Sequence, residues 1–425
     1  MKQKIKQIVY KTLKNSEKIT GTDNIYIAKG GFWLGMNNFF QIIAGFLISV
    51  IFANLLDPST YGQYKYIISI LNILSIFSLP AINTTLVQAV ARGNEGNLEK
   101  SFQVKLKWSC LGSLFAIILG IYYHWQGNNF LSLPLFLSAI FLPLLQSSNI
   151  YITFLNSRKL FSQQAKYTLI NRLFFIVGIL LTLFLTQKII WIVFAYLFFN
   201  TLINFCLYLW TKNKIPHNQK TDPQSISYGQ HLSFLSLIGN FASYLDKILI
   251  FHYLGSVPLA IFSFALSPII QINGILNNLP ILTVPKLAQR SIKDIKQTLF
   301  KRIAQTFLLG IVIAFFYFLL IPYFFYFFYP QYTSSIYYSK IMAILIVLSL
   351  PLFYLGSIVQ SKITLYPKKW LYLSPLRSII LIILSIWLIK QFGLLGAIES
   401  RAIFLILGYI FFFISWKLFL DKENR

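Results

Sequence analysis

The chain has 425 residues, 56% of them hydrophobic and 17% aromatic, with only 11% charged residues and a mean hydropathy of +0.66. Soluble domains carry roughly 25% charged residues, so the composition excludes a water-soluble globular protein, and with it the reading of the +26 net charge as a nucleic-acid footprint. Cys110, Cys206 and four scattered histidines have no metal-ligand spacing, so free thiols and no metal site are expected.

Residues 1–30 form a basic segment with seven lysines, too polar for the apolar part of a signal peptide, and nothing in it reads as cleaved. In KQKIKQIVYKTLKNSEK, Ile5, Ile8, Val9 and Leu13 share one helical face while Lys4, Lys11, Lys14 and Lys18 share another. Two readings stand: a helix lying on an anionic leaflet, or a flexible tail that fixes topology.

Crossing ~30 Å of hydrocarbon takes about 20 apolar residues. Twelve such runs follow, at 31–53, 62–80, 107–124, 131–152, 168–187, 189–210, 232–254, 259–282, 303–328, 336–358, 372–390 and 393–416. The predicted class is an all-α integral membrane protein. Several runs carry one polar stripe at three- and four-residue steps. The first has Asn38, Gln41, Gly45 and Ser49, and the second has Lys65, Ser69, Asn72 and Ser75. The seventh has Ser233, Ser236, Asn240, Ser243, Tyr244 and Lys247, and the eighth has Ser263, Ser267, Gln271 and Gly274. Any one stripe can be ordinary helix packing. Several together, with charges among them, favour a hydrated cavity between helices.

The loops fix an orientation. Of 37 basic residues, 29 fall on the side of the termini, whereas the opposite loops hold only Lys188 and Lys390. The positive-inside rule therefore places both termini in the cytoplasm. All loops are too short to hold a soluble catalytic domain.

The two halves of the chain repeat. Ile51, Phe52 and Leu55 match Ile250, Phe251 and Leu254 at an offset of 199. The run from Tyr167 with Arg172 matches the run from Tyr372 with Arg377 at an offset of 205. Leu142-Pro143-Leu144 and Leu350-Pro351-Leu352 occupy equivalent places in the fourth and tenth runs. Six runs per half give both halves the same orientation, so the expected architecture is two six-helix lobes related by a pseudo-twofold axis along the membrane normal. The divisions are a basic segment 1–30, a first lobe 31–211, a cytoplasmic linker 212–231, a second lobe 232–417 and a tail 418–425.

Six basic residues remain inside the runs, namely Lys65, Arg172, Lys247, Lys340, Arg377 and Arg401, against two acids, Asp246 and Glu399. A charge at mid-membrane costs at least ~2.5–3.5 kcal/mol and marks a functional position. Snorkelling to the interface is the competing account for Lys340, Lys65 and Arg377. Asp246 and Lys247 are about 100° apart on a helix, so each needs a partner elsewhere. Arg401 or Arg377 suits Asp246, and such a pair could lock the two lobes together.

The stretch FANLLDPSTYGQYKYIISILNILSIFSLPAINTTLVQAVARG (Phe52 to Gly93) resembles the signature region of bacterial O-antigen and capsular repeat-unit flippases. These form the polysaccharide-transporter branch of the multidrug/oligosaccharidyl-lipid/polysaccharide exporter superfamily. The Tyr61-Gly62 turn, Leu245-Asp246-Lys247 and GLLGAIESRA (Gly393 to Ala402) are similar to that family as well. The resemblance implies alternating access in the bacterial cytoplasmic membrane, with a polyprenyl-diphosphate-linked oligosaccharide as substrate and membrane lipid as surroundings. It also implies a functional monomer, contact with a polysaccharide polymerase and glycosyltransferases, no nucleic-acid partner and no enzymatic activity.

An anionic diphosphate calls for cations: Arg172, Arg377 and Lys247 first, then Lys65 and Arg401, with Asn38, Gln41, Ser69, Asn72, Asn240, Ser243, Tyr244 and Gln271 as polar lining. No P-loop is present, so no nucleotide or other cofactor is expected. Asp246 and Glu399 are the candidates for a coupling H⁺ or Na⁺. A multidrug or other lipid exporter of the same superfamily is the alternative, and a cation exporter should be richer in intramembrane acids. A membrane-embedded glycan polymerase or glycosyltransferase would need a large outer loop or clustered acids and histidines.

Overall fold

The computed structural model describes residues 24–276, 279–362 and 370–423. The N-terminal amphipathic stretch, Lys368 and Lys369 and the last two residues lie outside them. Every regular element among the described residues is helical. Eleven helices are long and apolar enough to cross a membrane, and a bent pair supplies the twelfth.

In chain order the first span is Asn24–Leu55 and the second is Pro58–Leu74, extended by a 3₁₀ turn at Ser75–Ser78 and then Ile82–Ala91. The third is Asn97–Trp125, and the fourth joins Asn129–Ser148 to Ile150–Ser157. The fifth and sixth are Phe161–Leu185 and Ile189–Lys214. The second half has Pro223–Leu254, then Ser256–Leu276 with Leu279–Gln289, then Ile292–Phe328. It ends with Ser335–Ile341 and Ala343–Ser361, Trp370–Phe392, and Leu394–Glu423.

Local chemistry sets these limits. The second span starts at Pro58, whose missing N–H costs nothing in a first turn, and the Asp57 carboxylate caps it by accepting from Thr60 N at 2.9 Å. Partial burial would raise the Asp57 pKa, but the hydrogen bonds from Thr60 prevail and hold it below its ordinary value. The same span bends by 45° where Leu79 adopts a left-handed conformation (φ 56°) ahead of Pro80. The sequence expectation ended this span at residue 80, whereas the helix resumes and runs to Ala91. The third and ninth spans likewise begin at Asn97 and Ile292, earlier than their apolar runs. Hydropathy marks where lipid begins, but backbone hydrogen bonding continues past that boundary, so Lys100, Lys105, Lys107 and Lys293 stand on helices rather than in loops.

Packing repeats between the halves. Span one lies against five and seven against eleven, three against four and nine against ten, and five against six and eleven against twelve. Each set of six closes on itself as a lobe, which bears out the two-lobe architecture. The lobes meet mainly through four helices, with two against eight on the axis, two against seven on one side and one against eight on the other, and the end of span nine touches span one. Large apolar side chains of the third and ninth spans, among them Leu114, Ile118, Phe315 and Leu320, are exposed on the outside, as a lipid-facing surface requires.

At the end opposite the chain termini the lobes are joined tightly. Ser59 Oγ and Ser256 Oγ are 3.0 Å apart, and a side chain at Gly62 would overlap the Ser256 carbonyl. Tyr66 stacks on Phe251 and Tyr61 on Phe264, with ring centroids 3.9 and 4.3 Å apart. Asn54 Nδ2 donates to Phe328 O at 3.0 Å. The pair Ser59→Cys and Ser256→Cys should therefore form a disulfide under mild oxidation of intact membranes, read as protection from a maleimide-polyethylene glycol label. Full labelling after oxidation would show that these ends stand apart.

Candidate functional site

Between the lobes lies a cavity of about 220 Å³ walled by spans one, two, seven and eight. Ser49, Ser263, Ser267 and Gln271 place polar groups among apolar ones such as Ile48, Phe52 and Leu266, and Lys65 and Lys247 face the cavity from opposite lobes. Each lysine is held against aromatic rings. The Lys65 ammonium sits 5.2 Å from the Tyr61 ring centroid and 6.0 Å from that of Tyr64, and Lys247 sits 5.6 Å from that of Tyr244. Such cation–π contacts contribute on the order of 0.5–2 kcal/mol each. That is less than the cost of a charge at this depth. Among the described residues neither lysine has a carboxylate within ion-pair distance.

Asp246 is one residue from Lys247 but points the other way. It is 5% exposed and lines a second cavity, about 250 Å³, whose wall belongs to the second lobe and includes Ser243, Asn273, Ser349, Ser385 and Arg401. Arg401 of span twelve donates from Nε and Nη2 to Asp246 Oδ2, both at 2.6 Å, and Asp246 Oδ1 accepts from Lys247 N at 2.8 Å. The expected partner is thus Arg401. The expected location is corrected, since both residues belong to the second lobe and the pair ties span seven to span twelve instead of locking the lobes together. Leu266 and Ile270 of span eight line both cavities, so spans seven and eight form a thin wall with the free cation on one side and the neutralised pair on the other.

The other predicted residues are dispersed. Gln271 lines the interlobe cavity. Asn38, Gln41, Asn72 and Asn240 are partly buried outside its wall, and Ser69 is 2% exposed. Much of the polar periodicity is satisfied within the helices themselves. Ser69 Oγ donates to Lys65 O at 2.7 Å, Ser75 Oγ to Asn72 O at 2.6 Å and Ser243 Oγ to Gly239 O at 2.9 Å. Arg172 lies within the first lobe near the Tyr151 and Tyr196 phenols, and Tyr196 packs edge-on against Tyr64, 6.1 Å away, beside the cavity. Arg377 lies in a separate cavity of the second lobe. Glu399 is exposed on span twelve and makes no ion pair among the described residues. Lys340 rests 4.7 Å from the Phe318 ring centroid.

One charged residue escaped the sequence reading. Lys105 is 2% exposed and donates from Nζ to Asn83 Oδ1 at 3.0 Å. The apolar run starts only at 107, so hydropathy groups Lys105 with the loop cations, whereas the helix from Asn97 carries it inward.

A family model for polysaccharide biosynthesis proteins matches residues 27–291, well over half of the chain. The chain belongs to the polysaccharide biosynthesis protein family. The resemblance carried by Phe52 to Gly93 falls inside the matched region, and membership in the polysaccharide-transporter branch stands. Among solved structures the fold is shared with the lipid II flippase MurJ in an inward closed conformation, at 16% identity and a TM-score of 0.64 over 90% of this chain and 86% of that one. It is also shared with a MATE transporter in complex with MaD5, at 11% identity and a TM-score of 0.61 over 93% and 96% of the chains. A third is a MOP superfamily transporter from Pyrococcus furiosus Vc1, at 12% identity and a TM-score of 0.57 over 93% and 96%. No curated protein sequence matches.

The Asp246–Arg401 geometry leads to a stability prediction. Removing one partner of a buried pair leaves the other charge uncompensated, at ~3–5 kcal/mol. Asp246→Ala should lower both membrane abundance and thermal stability in detergent, and Asp246→Ala with Arg401→Met should recover most of the loss. A double variant as unstable as the single would show that Asp246 does something other than neutralise Arg401.

Proposed function

We propose that this family member is a flippase that carries polyprenyl-diphosphate-linked oligosaccharide repeat units from the inner to the outer leaflet of the bacterial cytoplasmic membrane by alternating access. The single observation that carries the reading is the interlobe cavity with Lys65 and Lys247 facing it from opposite lobes and, among the described residues, no carboxylate in ion-pair distance of either. Two ammonium groups at one buried cavity repel each other and are stable together only with an anion or water between them. A diphosphate supplies that charge, with acceptor oxygens for both lysines. The polyprenyl chain stays in the hydrocarbon throughout, where each CH₂ contributes about 0.8 kcal/mol, so the protein needs to shelter only the polar head.

In this reading the loop-poor-in-lysine end, joined through Ser59 and Ser256, is the extracytoplasmic end, and the termini are cytoplasmic. Tyr66–Phe251 and Tyr61–Phe264 are the contacts that must part for release. The Asp246–Arg401 pair, one helix face away from the substrate cations, is where a coupling H⁺ or Na⁺ would compete with Arg401 for the carboxylate. That supports ion coupling through the second lobe, with span seven linking the two events. A multidrug exporter for cations is the alternative, and the free lysines argue against it because they would repel its cargo.

Lys65→Ala and Lys247→Ala should each abolish glycan export, with lipid-linked oligosaccharide accumulating on the inner leaflet while the protein stays abundant. Mass spectrometry of extracted lipids, with leaflet accessibility scored by a membrane-impermeant glycosidase, provides the measurement. Export at normal rates in both variants would exclude the cationic-cavity mechanism.

A further inference from the structure

Arg377 is the counterpart of Arg172 in the repeat, yet its surroundings have diverged. In the first lobe the space near Arg172 is occupied by the fully buried Tyr151 and by Tyr196. In the second lobe Arg377 lines a cavity of about 490 Å³ between spans ten and twelve, walled mainly by apolar groups such as Leu352, Val359, Leu405 and Phe411. Two glycines open it. A Cβ on Gly356 would meet nothing within 4 Å, and at Gly408 it would come within 3.2 Å of the Arg377 guanidinium.

The arginine is only partly satisfied. Nη2 donates to Phe404 O at 2.9 Å, and Cζ stacks 3.6 Å from the Phe404 ring centroid. Among the described residues Nε is buried with no partner and no carboxylate reaches the guanidinium. A cation with spare donors at the edge of an apolar cavity asks for a ligand that is anionic at one end and hydrocarbon at the other. A free phosphate would gain nothing from the apolar wall and would lose its hydration. A ligand without net charge would leave the guanidinium uncompensated. The exposed part of the wall is Gly356 and Gln360, near the cytoplasm-directed end of span ten. There Lys362 Nζ donates to Ala288 O and Arg290 O at 3.0 and 2.9 Å, and basic groups of this kind attract anionic lipid heads.

We propose that this cavity is a binding site for an anionic phospholipid of the surrounding bilayer, its phosphate on Arg377 and one acyl chain between spans ten and twelve. The site is separate from the interlobe cavity and does not rest on the transported substrate being a glycolipid. Its role is to fill and brace the second lobe from the membrane side.

The test uses detergent-purified full-length protein titrated with dioctanoyl phosphatidylglycerol, dioctanoyl phosphatidylcholine or inorganic phosphate, with bound molecules counted by native mass spectrometry. One phosphatidylglycerol should bind about tenfold more tightly than phosphatidylcholine. Arg377→Gln should erase that preference. Gly356→Leu, which adds bulk into open space and leaves the charge in place, should weaken binding of either lipid, and it carries the test alone if Arg377→Gln fails to accumulate. Equal affinity for the two lipids in the unmodified protein, or phosphatidylglycerol binding unchanged by Gly356→Leu, overturns the proposal. Displacement of the lipid by an equal concentration of inorganic phosphate also overturns it, since the site would then take the free anion.

Discussion

Two lysines that share one cavity, with no carboxylate paired to either among the described residues, are the constraint around which this molecule is arranged. Lys65 and Lys247 face the same cavity from opposite lobes, in a medium where each charge costs several kcal/mol to hold. Aromatic rings under both ammonium groups offset part of that cost, and the unpaired remainder is available to a ligand. The lobes themselves are built conventionally, with apolar cores and helix ends closed by Asp57, Asn128, Asp222 and Ser291. Two of the cations that no carboxylate pairs, Lys65 and Lys247, stand at the seam between them.

Span seven makes that placement workable. Asp246 and Lys247 are adjacent in sequence, and the turn of the helix sends one into the second lobe and the other into the interlobe cavity. Arg401 holds Asp246 in an ion pair within the lobe, so Asp246 forms none with Lys247. Had the two charges been four residues apart on one face, they would have paired with each other and the cavity would have lost half its positive charge. A carboxylate that exchanged Arg401 for a bound ion would also change the field felt by Lys247 across a single helix, without any chain of intervening side chains.

Much of this arrangement was legible in the sequence. Span number follows from apolar length and the half repeat from matches such as Arg172 to Arg377, because lipid imposes a long-range rule on composition, while the inward faces of spans one, two, seven and eight follow from their polar stripes. The charges within spans were legible as well, since each is costly. What was not legible was direction. Polar stripes suggested a wide hydrated face, but Ser69, Ser75 and Ser243 turn their hydroxyls onto their own helices, a choice that costs no change in periodicity. The repeat also suggested that Arg172 and Arg377 would be equivalent. Their neighbours decide otherwise, through Tyr151 in one lobe and open space beside Gly356 in the other. Lys105 was hidden for a third reason, since hydropathy placed it outside a span while the helix carried it into the first lobe's interior.

The central claim is that the interlobe cavity recognises a diphosphate through two lysines acting together. The most direct measurement is the affinity of purified protein for a short prenyl diphosphate compared with the same prenyl monophosphate and alcohol, repeated on the Lys65→Ala and Lys247→Ala double variant. The account predicts that affinity falls from diphosphate to monophosphate to alcohol and weakens with added salt, and that the double variant binds all three alike. Equal binding of the three ligands to the unmodified protein, or an undiminished preference for diphosphate in the double variant, would contradict it.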